Sequence, residues 1–146
     1  QEGHAIYDPC APGSRLGVVR AKFPETLPKE IEGLHMHTLC EQDSDDLEAT
    51  FNAFEKSFEP YLKKIKWLNL GGGHHITRVD YDVDRLIDVL KRFKARYPHL
   101  TVYMEPGEAV GWQTGPLVAR VLDIIHNGMD RVFFIQSEVS EVLNHE

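Results

Sequence analysis

Three groups of glycine, histidine and glutamate stand out because each follows a short apolar stretch. They are GLHMH at 33–37, WLNLGGGHH at 67–75 and MEPGE at 104–108. In a parallel α/β sheet, polar residues and glycines collect where strands leave the sheet, and helices carry the chain back. The pattern therefore predicts that three strand ends converge on one ligand. The triple glycine indicates that part of this ligand is a phosphate.

The glycine triplet Gly71, Gly72 and Gly73 has two interpretations. Glycines after a strand let the backbone approach an anion and aim its N–H groups at phosphate oxygens. Alternatively, the triplet forms a tight turn that needs positive φ angles. It is neither the GxGxxG dinucleotide motif nor a Walker loop, because no Gly-Lys-Ser/Thr follows.

The two histidines His35 and His37 share one face if they lie in a strand, because side chains alternate there. A zinc hydrolase built on a barrel could use them as ligands, completed by His74, His75 or Glu105. One imidazole could instead lie flat against a planar aromatic ligand. A third interpretation is a strand end with two partly solvated histidines.

The carboxylate of Glu105 would be costly at the mouth of an apolar site unless it met a cation or a protonated ring nitrogen. Pro106 and Gly107 then predict a turn that brings the backbone close to a bound ligand. Arg15 precedes another strand candidate, and a surface position is the default interpretation of it.

Two helices must position these groups. The first follows Asp43 and Ser44 and keeps helical apolar spacing from Leu47 to Ile65. The second begins near residues 82–84 and ends before Pro98. Short strand candidates lie around them, at Ala5–Tyr7, Leu16–Arg20, Gly33–Thr38, Trp67–Leu70 and Leu100–Met104.

The order β-α-β-α-β predicts parallel strands joined by right-handed crossovers. Spacing alone does not distinguish an open doubly wound sheet from part of a (β/α)8 barrel. It also leaves open whether Leu117–Ile125 is a helix or a strand. Val132–Ile135 has the pattern of one more strand.

Composition limits the class of protein. The 146 residues suffice for one ordinary globular domain, and a net charge of -7 argues against a nucleic-acid surface. No apolar run reaches membrane-spanning length. Because there is no such run, we expect no membrane partner. Two cysteines make no disulfide framework, so we expect a reducing cytoplasm. We expect no secretory leader, and Gln1 in place of Met leads us to expect that the natural start is missing.

The motifs together resemble the fold-type III pyridoxal-phosphate decarboxylases, which include the ornithine and diaminopimelate decarboxylases. The segments YDPCAPGSRLG, GLHMHTLCEQDSDDLE, LNLGGGHHITRVDYDVDRLI and EPGEAVGWQTGPLVARVLDIIHNGMD are most similar to the carboxynorspermidine/carboxyspermidine decarboxylase family. This resemblance implies an α/β fold with residues 1–112 as a partial (β/α)8 TIM-type barrel of the alanine racemase-like type. Residues 113–146 would begin a truncated C-terminal β-domain, with Leu117–Ile125 as its first strand.

The resemblance also implies a cofactor, pyridoxal 5'-phosphate, and a role for each matched position. His37 would stack on the cofactor ring, and Glu105 would keep the pyridine nitrogen protonated, so that the ring withdraws electrons from the carbanion left by CO₂. The phosphate would meet backbone N–H groups near Gly107 and in the triplet Gly71, Gly72 and Gly73. Arg15 matches an arginine near the cofactor.

Glu108 departs from the pattern, because ornithine and diaminopimelate decarboxylases typically have arginine directly after Glu-Pro-Gly. A carboxylate there should repel phosphate, so we expect Glu108 to bind an ammonium group of a small-molecule polyamine substrate. The implied reaction is decarboxylation of carboxynorspermidine or carboxyspermidine. The alternatives are another basic amino acid, such as diaminopimelate or ornithine, and a metal-dependent hydrolase.

The family's Schiff-base lysine is expected upstream of Gln1, since none of the eight lysines lies in a matching motif. The family's C-terminal domain, which completes the site across a homodimer interface, is expected to be mostly absent, because the match ends after Asp130. We therefore expect this stretch to be an internal fragment that is inactive by itself and poorly soluble, with strand edges left unpaired.

Overall fold

The structure is a computed structural model, and it describes residues 9–116, 118–127 and 130–136. The chain divides into two compact units, Gln1–Trp112 and Gln113–Glu146. The strand expected at Ala5–Tyr7 lies outside the described residues. None of the helices in the described ranges has the length and apolar character needed to cross a bilayer.

The first unit alternates strands and helices. Its elements are β1 (Gly33–His35), α1 (Ser44–Leu62), β2 (Trp67–Asn69), α2 (Val83–Arg96), β3 (Thr101–Tyr103) and the short α3 (Gly107–Gly111). The three strands form a parallel sheet in the order β1-β2-β3. The expected parallel α/β arrangement is therefore confirmed.

Both long helices begin where the capping residues predict. Asp43 is the N-cap of α1, with Asp46 in a capping box. Asp82 is the N-cap of α2, where its side chain accepts a hydrogen bond from the backbone N–H of Arg85 at 2.9 Å. Each cap satisfies amide groups that the first helical turn leaves unpaired. Helix α1 ends at Leu62, earlier than the apolar spacing to Ile65 suggests.

The two faces of the sheet differ. Leu34, Leu68 and Val102 lie side by side in register and pack toward the helices. The buried helix residues that complete this core are Leu47, Phe51 and Leu62 of α1 and Leu86, Val89 and Phe93 of α2. We call the opposite side the open face, and polar and aromatic residues alternate onto it.

The open face has two registered layers. One aligns Gly33, Trp67 and Thr101, and the next aligns His35, Asn69 and Tyr103. Gly33 has no room for a side chain, because a Cβ atom there would overlap the indole ring of Trp67. Trp67 and Tyr103 meet edge to face with ring centroids 6.2 Å apart. The open face therefore has Trp67 one layer below His35, in contact with Tyr103 of the histidine layer.

The strand expected at Leu16–Arg20 is wrong. A single 3-10 turn, Arg20–Lys22, forms there, and Val18 and Val19 are 58% and 65% exposed. Gly17 has a φ of +71°, which breaks an extended conformation. A β-pattern without a neighbouring strand to pair with leaves its backbone groups to water.

The second unit contains an antiparallel pair, β4 (Arg120–Asn127) and β5 (Asp130–Gln136). The ambiguous segment Leu117–Ile125 is thus a strand from Arg120, as the family resemblance implies, and Leu117 itself lies outside the described residues. The expected strand at Val132–Ile135 is confirmed within β5.

Candidate active site

The three polar clusters meet at the carboxyl edge of the sheet because backbone pairing continues beyond each strand. The N–H of Met36 donates to the carbonyl oxygen of Asn69 at 2.8 Å, and that of Leu70 donates to Tyr103 at 2.9 Å. The N–H of Glu105 donates to Gly71 at 2.8 Å. These bonds bring the residues that follow β1, β2 and β3 to one place, as the sequence pattern predicts.

Glu105 is the centre of this cluster. Its Oε1 accepts a hydrogen bond from the side-chain amide of Asn69 at 2.8 Å. Its Oε2 lies 3.3 Å from Nε2 of His35 and 3.9 Å from Nδ1 of His37. All three charged or titratable side chains are about half exposed. The carboxylate is thus oriented by a neutral amide and remains open to a ligand.

Asn69 is a site residue that the sequence patterns did not single out. Besides its contact with Glu105, its Oδ1 accepts a hydrogen bond from the N–H of Gly71 at 2.9 Å. Asn69 ends β2 on the open face, next to His35 in register. Its position as a polar residue two places before the glycine triplet is the only sequence signal that could have identified it.

The glycine triplet has a steric reason at each position. Gly71 and Gly73 have φ angles of +71° and +81°, and a Cβ atom on Gly73 would overlap the carbonyl oxygen of Leu39. A Cβ atom on Gly72 would lie 2.7 Å from the carbonyl oxygen of Glu105. The tight-turn interpretation therefore accounts for the triplet, and the turn draws neighbouring strand ends together.

His37 lies beside this turn with half of its side chain exposed. Its Nδ1 accepts a long hydrogen bond from the N–H of Gly72 at 3.4 Å. The same nitrogen faces Glu105, and it can either accept from Gly72 or donate to Glu105, because it carries one lone pair or one proton. The rings of His35 and His37 meet edge to face at 5.9 Å.

Glu108, Gly107 and Arg15 lie apart from these contacts. Glu108 pairs with His75, whose Nε2 is 3.1 Å from its Oε2. A Cβ atom on Gly107 would meet nothing within 4 Å, and its φ is not positive, so neither packing nor backbone conformation requires a glycine there. Arg15 is exposed, and in the described part of the chain no hydrogen bond or ion pair joins it to Glu105, His37 or Glu108.

Two side-chain groups have ligand atoms close enough to hold a metal ion. They are His35, His37 and Glu105, and Glu41, His75 and Glu108, with ligand atoms within 4.8 Å of one another in each group. The first group contains the pair that the sequence offered as zinc ligands, with Glu105 as the third ligand. Neither His74 nor His75 belongs to it.

His74 is buried, and burial lowers the pKa of its imidazole below the ordinary value of 6.5. The fold thus favours the neutral ring, so below about pH 6.5 the unfolded chain binds a proton that the folded chain does not. The free energy of unfolding should therefore fall as pH decreases from about 6.5 through the lower folded-state pKa.

Urea denaturation at about pH 7.5 and about pH 5.5 measures this dependence. His74→Gln should flatten it, and so should His74→Phe, which keeps a ring in the same space. An equally steep loss of stability in both variants would show that other groups cause it.

Comparison with known proteins gives several relatives. A carboxynorspermidine/carboxyspermidine decarboxylase from Campylobacter jejuni is 51% identical over 122 residues, which are 84% of this chain and 32% of that protein. A carboxyaminopropylagmatine decarboxylase from Synechocystis is 50% identical over 120 residues, 82% of this chain and 31% of that protein. No protein-family model matches the chain.

A more distant relative, a carboxynorspermidine/carboxyspermidine decarboxylase from Herminiimonas arsenicoxydans, is 31% identical over 95% of this chain and 38% of its own length. Among solved structures, carboxynorspermidine decarboxylase from Campylobacter jejuni in complex with norspermidine superposes with a TM-score of 0.68 and 48% identity. That match covers 85% of this chain and 33% of the solved one. The chain spans about a third of the length of the relatives it matches.

Proposed function

We propose that this chain belongs to an enzyme of polyamine biosynthesis that decarboxylates carboxynorspermidine, carboxyspermidine or a similar substrate. The proposal rests on homology to carboxynorspermidine/carboxyspermidine decarboxylases over about a third of their length. The sequence resemblance itself is confirmed by curated relatives about 50% identical over most of the chain. The observation that carries the proposal is the convergence of His37, Gly72 and Glu105 at one edge of the sheet.

The substrate class follows from chemistry that the relatives' named substrates share. Carboxynorspermidine, carboxyspermidine and carboxyaminopropylagmatine each have an amino-acid end joined through a secondary amine to a chain with a further cationic group. An exposed carboxylate at Glu108 suits such a cation. A site made for ornithine or diaminopimelate would need no group that binds a secondary ammonium.

The cofactor in this proposal is pyridoxal 5'-phosphate, and the residues present fit it. Gly72 lies between the backbone of Glu105 and the ring of His37, since a Cβ atom there would lie 2.7 Å from the former's oxygen and 3.4 Å from the latter's Cε1. Lack of a side chain at Gly72 thus lets the His37 ring and the Glu105 backbone come close together, which keeps the imidazole and the carboxylate at one place. When bound there, the cofactor supplies a protonated aromatic ring that stabilises negative charge at the substrate's α-carbon.

The chain's own residues would act as follows. Glu105, oriented by Asn69, keeps a proton on the ring nitrogen, because a carboxylate nearby favours the charged form of its partner. His37 packs against the ring face. A phosphate held by Gly71 and Gly72 would take over N–H groups that now donate to Asn69 and His37.

The remaining parts of the proposal concern the whole protein. Residues 1–112 form part of a (β/α)8 barrel, which the sequential strand order β1-β2-β3 supports, and residues 113–146 begin a β-domain. Gly107 and Arg15 complete the phosphate surroundings, and a homodimer completes the site. A Schiff-base lysine comes from another part of the protein.

The test is turnover and absorbance of the full-length protein. Purified with pyridoxal 5'-phosphate, it should show the cofactor's visible absorbance and release CO₂ from carboxynorspermidine, with norspermidine as product. Carboxyspermidine, carboxyaminopropylagmatine, diaminopimelate and ornithine are compared by kcat/KM. A protein that binds the cofactor but prefers ornithine or diaminopimelate would contradict the substrate assignment.

A metal-dependent hydrolase is the second candidate, because the ligand atoms of His35, His37 and Glu105 lie within 4.8 Å of one another. Two imidazoles and a carboxylate are a familiar zinc ligand set. Stoichiometric zinc in the purified protein, together with no cofactor absorbance, would favour this candidate and overturn the decarboxylase.

A further inference from the structure

A second carboxylate stands opposite Glu108. Glu41 lies in the loop after β1, Glu108 lies in α3, and both side chains are exposed. Their nearest carboxylate oxygens, together with a ring nitrogen of His75, lie within 4.8 Å of one another. Glu41 is also one of two non-glycine residues in the described part of the chain with a positive φ, at +53°. We call these two residues the Glu41–Glu108 pair.

His75 is buried beneath the pair, with 3% of its surface exposed. Its Nε2 points at Glu108 from 3.1 Å, yet within the described residues neither ring nitrogen has a hydrogen bond of good geometry. The rings of Trp112 and His75 meet edge to face, with centroids 5.2 Å apart. A buried polar ring whose nitrogens make no hydrogen bond of good geometry is costly, so its position under an exposed carboxylate calls for a functional reason.

The charges around the pair are unbalanced. Two carboxylates this close repel each other unless a cation lies between them. Among the described residues, no lysine or arginine forms an ion pair with Glu41 or Glu108, whereas Glu32, Glu48, Glu55 and Glu59 each have such a partner. The pair therefore has the charge of a cation site whose cation is supplied from outside the protein.

The spacing fits an ammonium group. If two carboxylate oxygens each accept from one tetrahedral nitrogen at about 2.8 Å, they lie about 4.6 Å apart. A secondary ammonium has two N–H donors, one for each carboxylate. We propose that the Glu41–Glu108 pair binds the secondary ammonium of the carboxylated polyamine, and that His75 is a positioning residue that orients the Glu108 carboxylate. This inference rests on the proposed function and adds the residues that select its substrate.

Two ligands test the pair in the full-length protein. Norspermidine carries the central secondary amine, and 1,7-diaminoheptane has a methylene in its place with the same chain length and both terminal amines. Calorimetry in EDTA-containing buffer should give tighter binding of norspermidine. Glu41→Gln and Glu108→Gln should each weaken norspermidine binding by roughly 10-fold, because a charge-assisted hydrogen bond is lost. They should change the affinity for 1,7-diaminoheptane less than twofold.

Glu32→Gln is the matched control, since Glu32 is a half-exposed carboxylate that pairs with Lys66. It should leave the affinity for both ligands unchanged. If the Glu41 and Glu108 variants lose affinity for both ligands equally, the assignment to the secondary ammonium is overturned. Loss of the norspermidine preference in EDTA would overturn it as well, because a metal ion would then occupy the pair.

His75→Gln tests the positioning role. The variant should have a severalfold higher KM for the carboxylated polyamine and an unchanged kcat. Its affinity for norspermidine should fall, whereas its affinity for 1,7-diaminoheptane should not. A lower kcat with both ligands weakened equally would assign His75 a structural role only. Wild-type protein that binds neither ligand refutes the proposed function itself, whereas equal binding of the two refutes only this inference.

Discussion

The Glu105→Gln variant of the full-length protein should retain pyridoxal 5'-phosphate yet lose roughly 100- to 1,000-fold in kcat, the usual effect of removing one electrostatic stabilising group. Glutamine keeps the shape and can still accept from the Asn69 amide. It carries no negative charge, so it no longer favours a protonated ring nitrogen. Cofactor absorbance and single-turnover CO₂ release separate binding from chemistry.

The fold should tolerate this change, because the Glu105 side chain is half exposed. Glu32→Gln, at a similarly exposed position outside the site, should keep full activity. Asn69→Ala leaves the carboxylate in place but removes its orienting amide, so its kcat should lie between those of wild type and Glu105→Gln. A Glu105→Gln enzyme with normal kcat would remove Glu105 from the proposed chemistry.

Gly73→Ala should destabilise the protein by about 2–4 kcal/mol, the sum of a left-handed backbone penalty and a backbone overlap. Gly73 has a φ of +81°, and its added Cβ atom would overlap the Leu39 carbonyl oxygen. The overlap is with backbone atoms, so a side-chain rotation cannot relieve it. The hydrogen bond from Gln42 N–H to the Gly73 carbonyl oxygen at 2.9 Å also holds the two backbone segments together. Urea denaturation measures the change.

Gly107→Ala is the matched comparison, because a Cβ atom there meets nothing within 4 Å. Its free energy of unfolding should match wild type within about 0.5 kcal/mol. Equal stability of the two variants would mean that the turn at Gly73 relaxes more easily than its contacts indicate.

The helices and the parallel sheet could be predicted because their signals are local. Asp43 and Asp82 mark helix starts by capping, and β2 and β3 are short apolar runs between turns. At Leu16–Arg20 the same local reasoning failed, since strand formation also needs a neighbour, and the sequence does not specify which segments pair.

The same distinction between local and non-local signals applies to the candidate site. His37 and Glu105 could be brought together in advance, because the carboxyl ends of all the strands of a parallel sheet lie at the same edge. The roles of Asn69, Glu41 and His75 could not, because they depend on side-chain directions and on a loop in which Glu41 has a positive φ. Such a conformation is rare for a residue with a side chain, and it cannot be deduced from composition or spacing.

The chain has two tryptophans, one near the side chains around Glu105 and one near the Glu41–Glu108 pair. Trp67 lies one layer below His35 and Asn69 on the open face, and Trp112 borders the ring of His75. Indole emission overlaps the absorption of a pyridoxal chromophore. Energy transfer would therefore quench Trp67 when the cofactor is bound between His37 and Glu105. Trp112 packs against His75, so its emission would also respond to occupation of the Glu41–Glu108 pair.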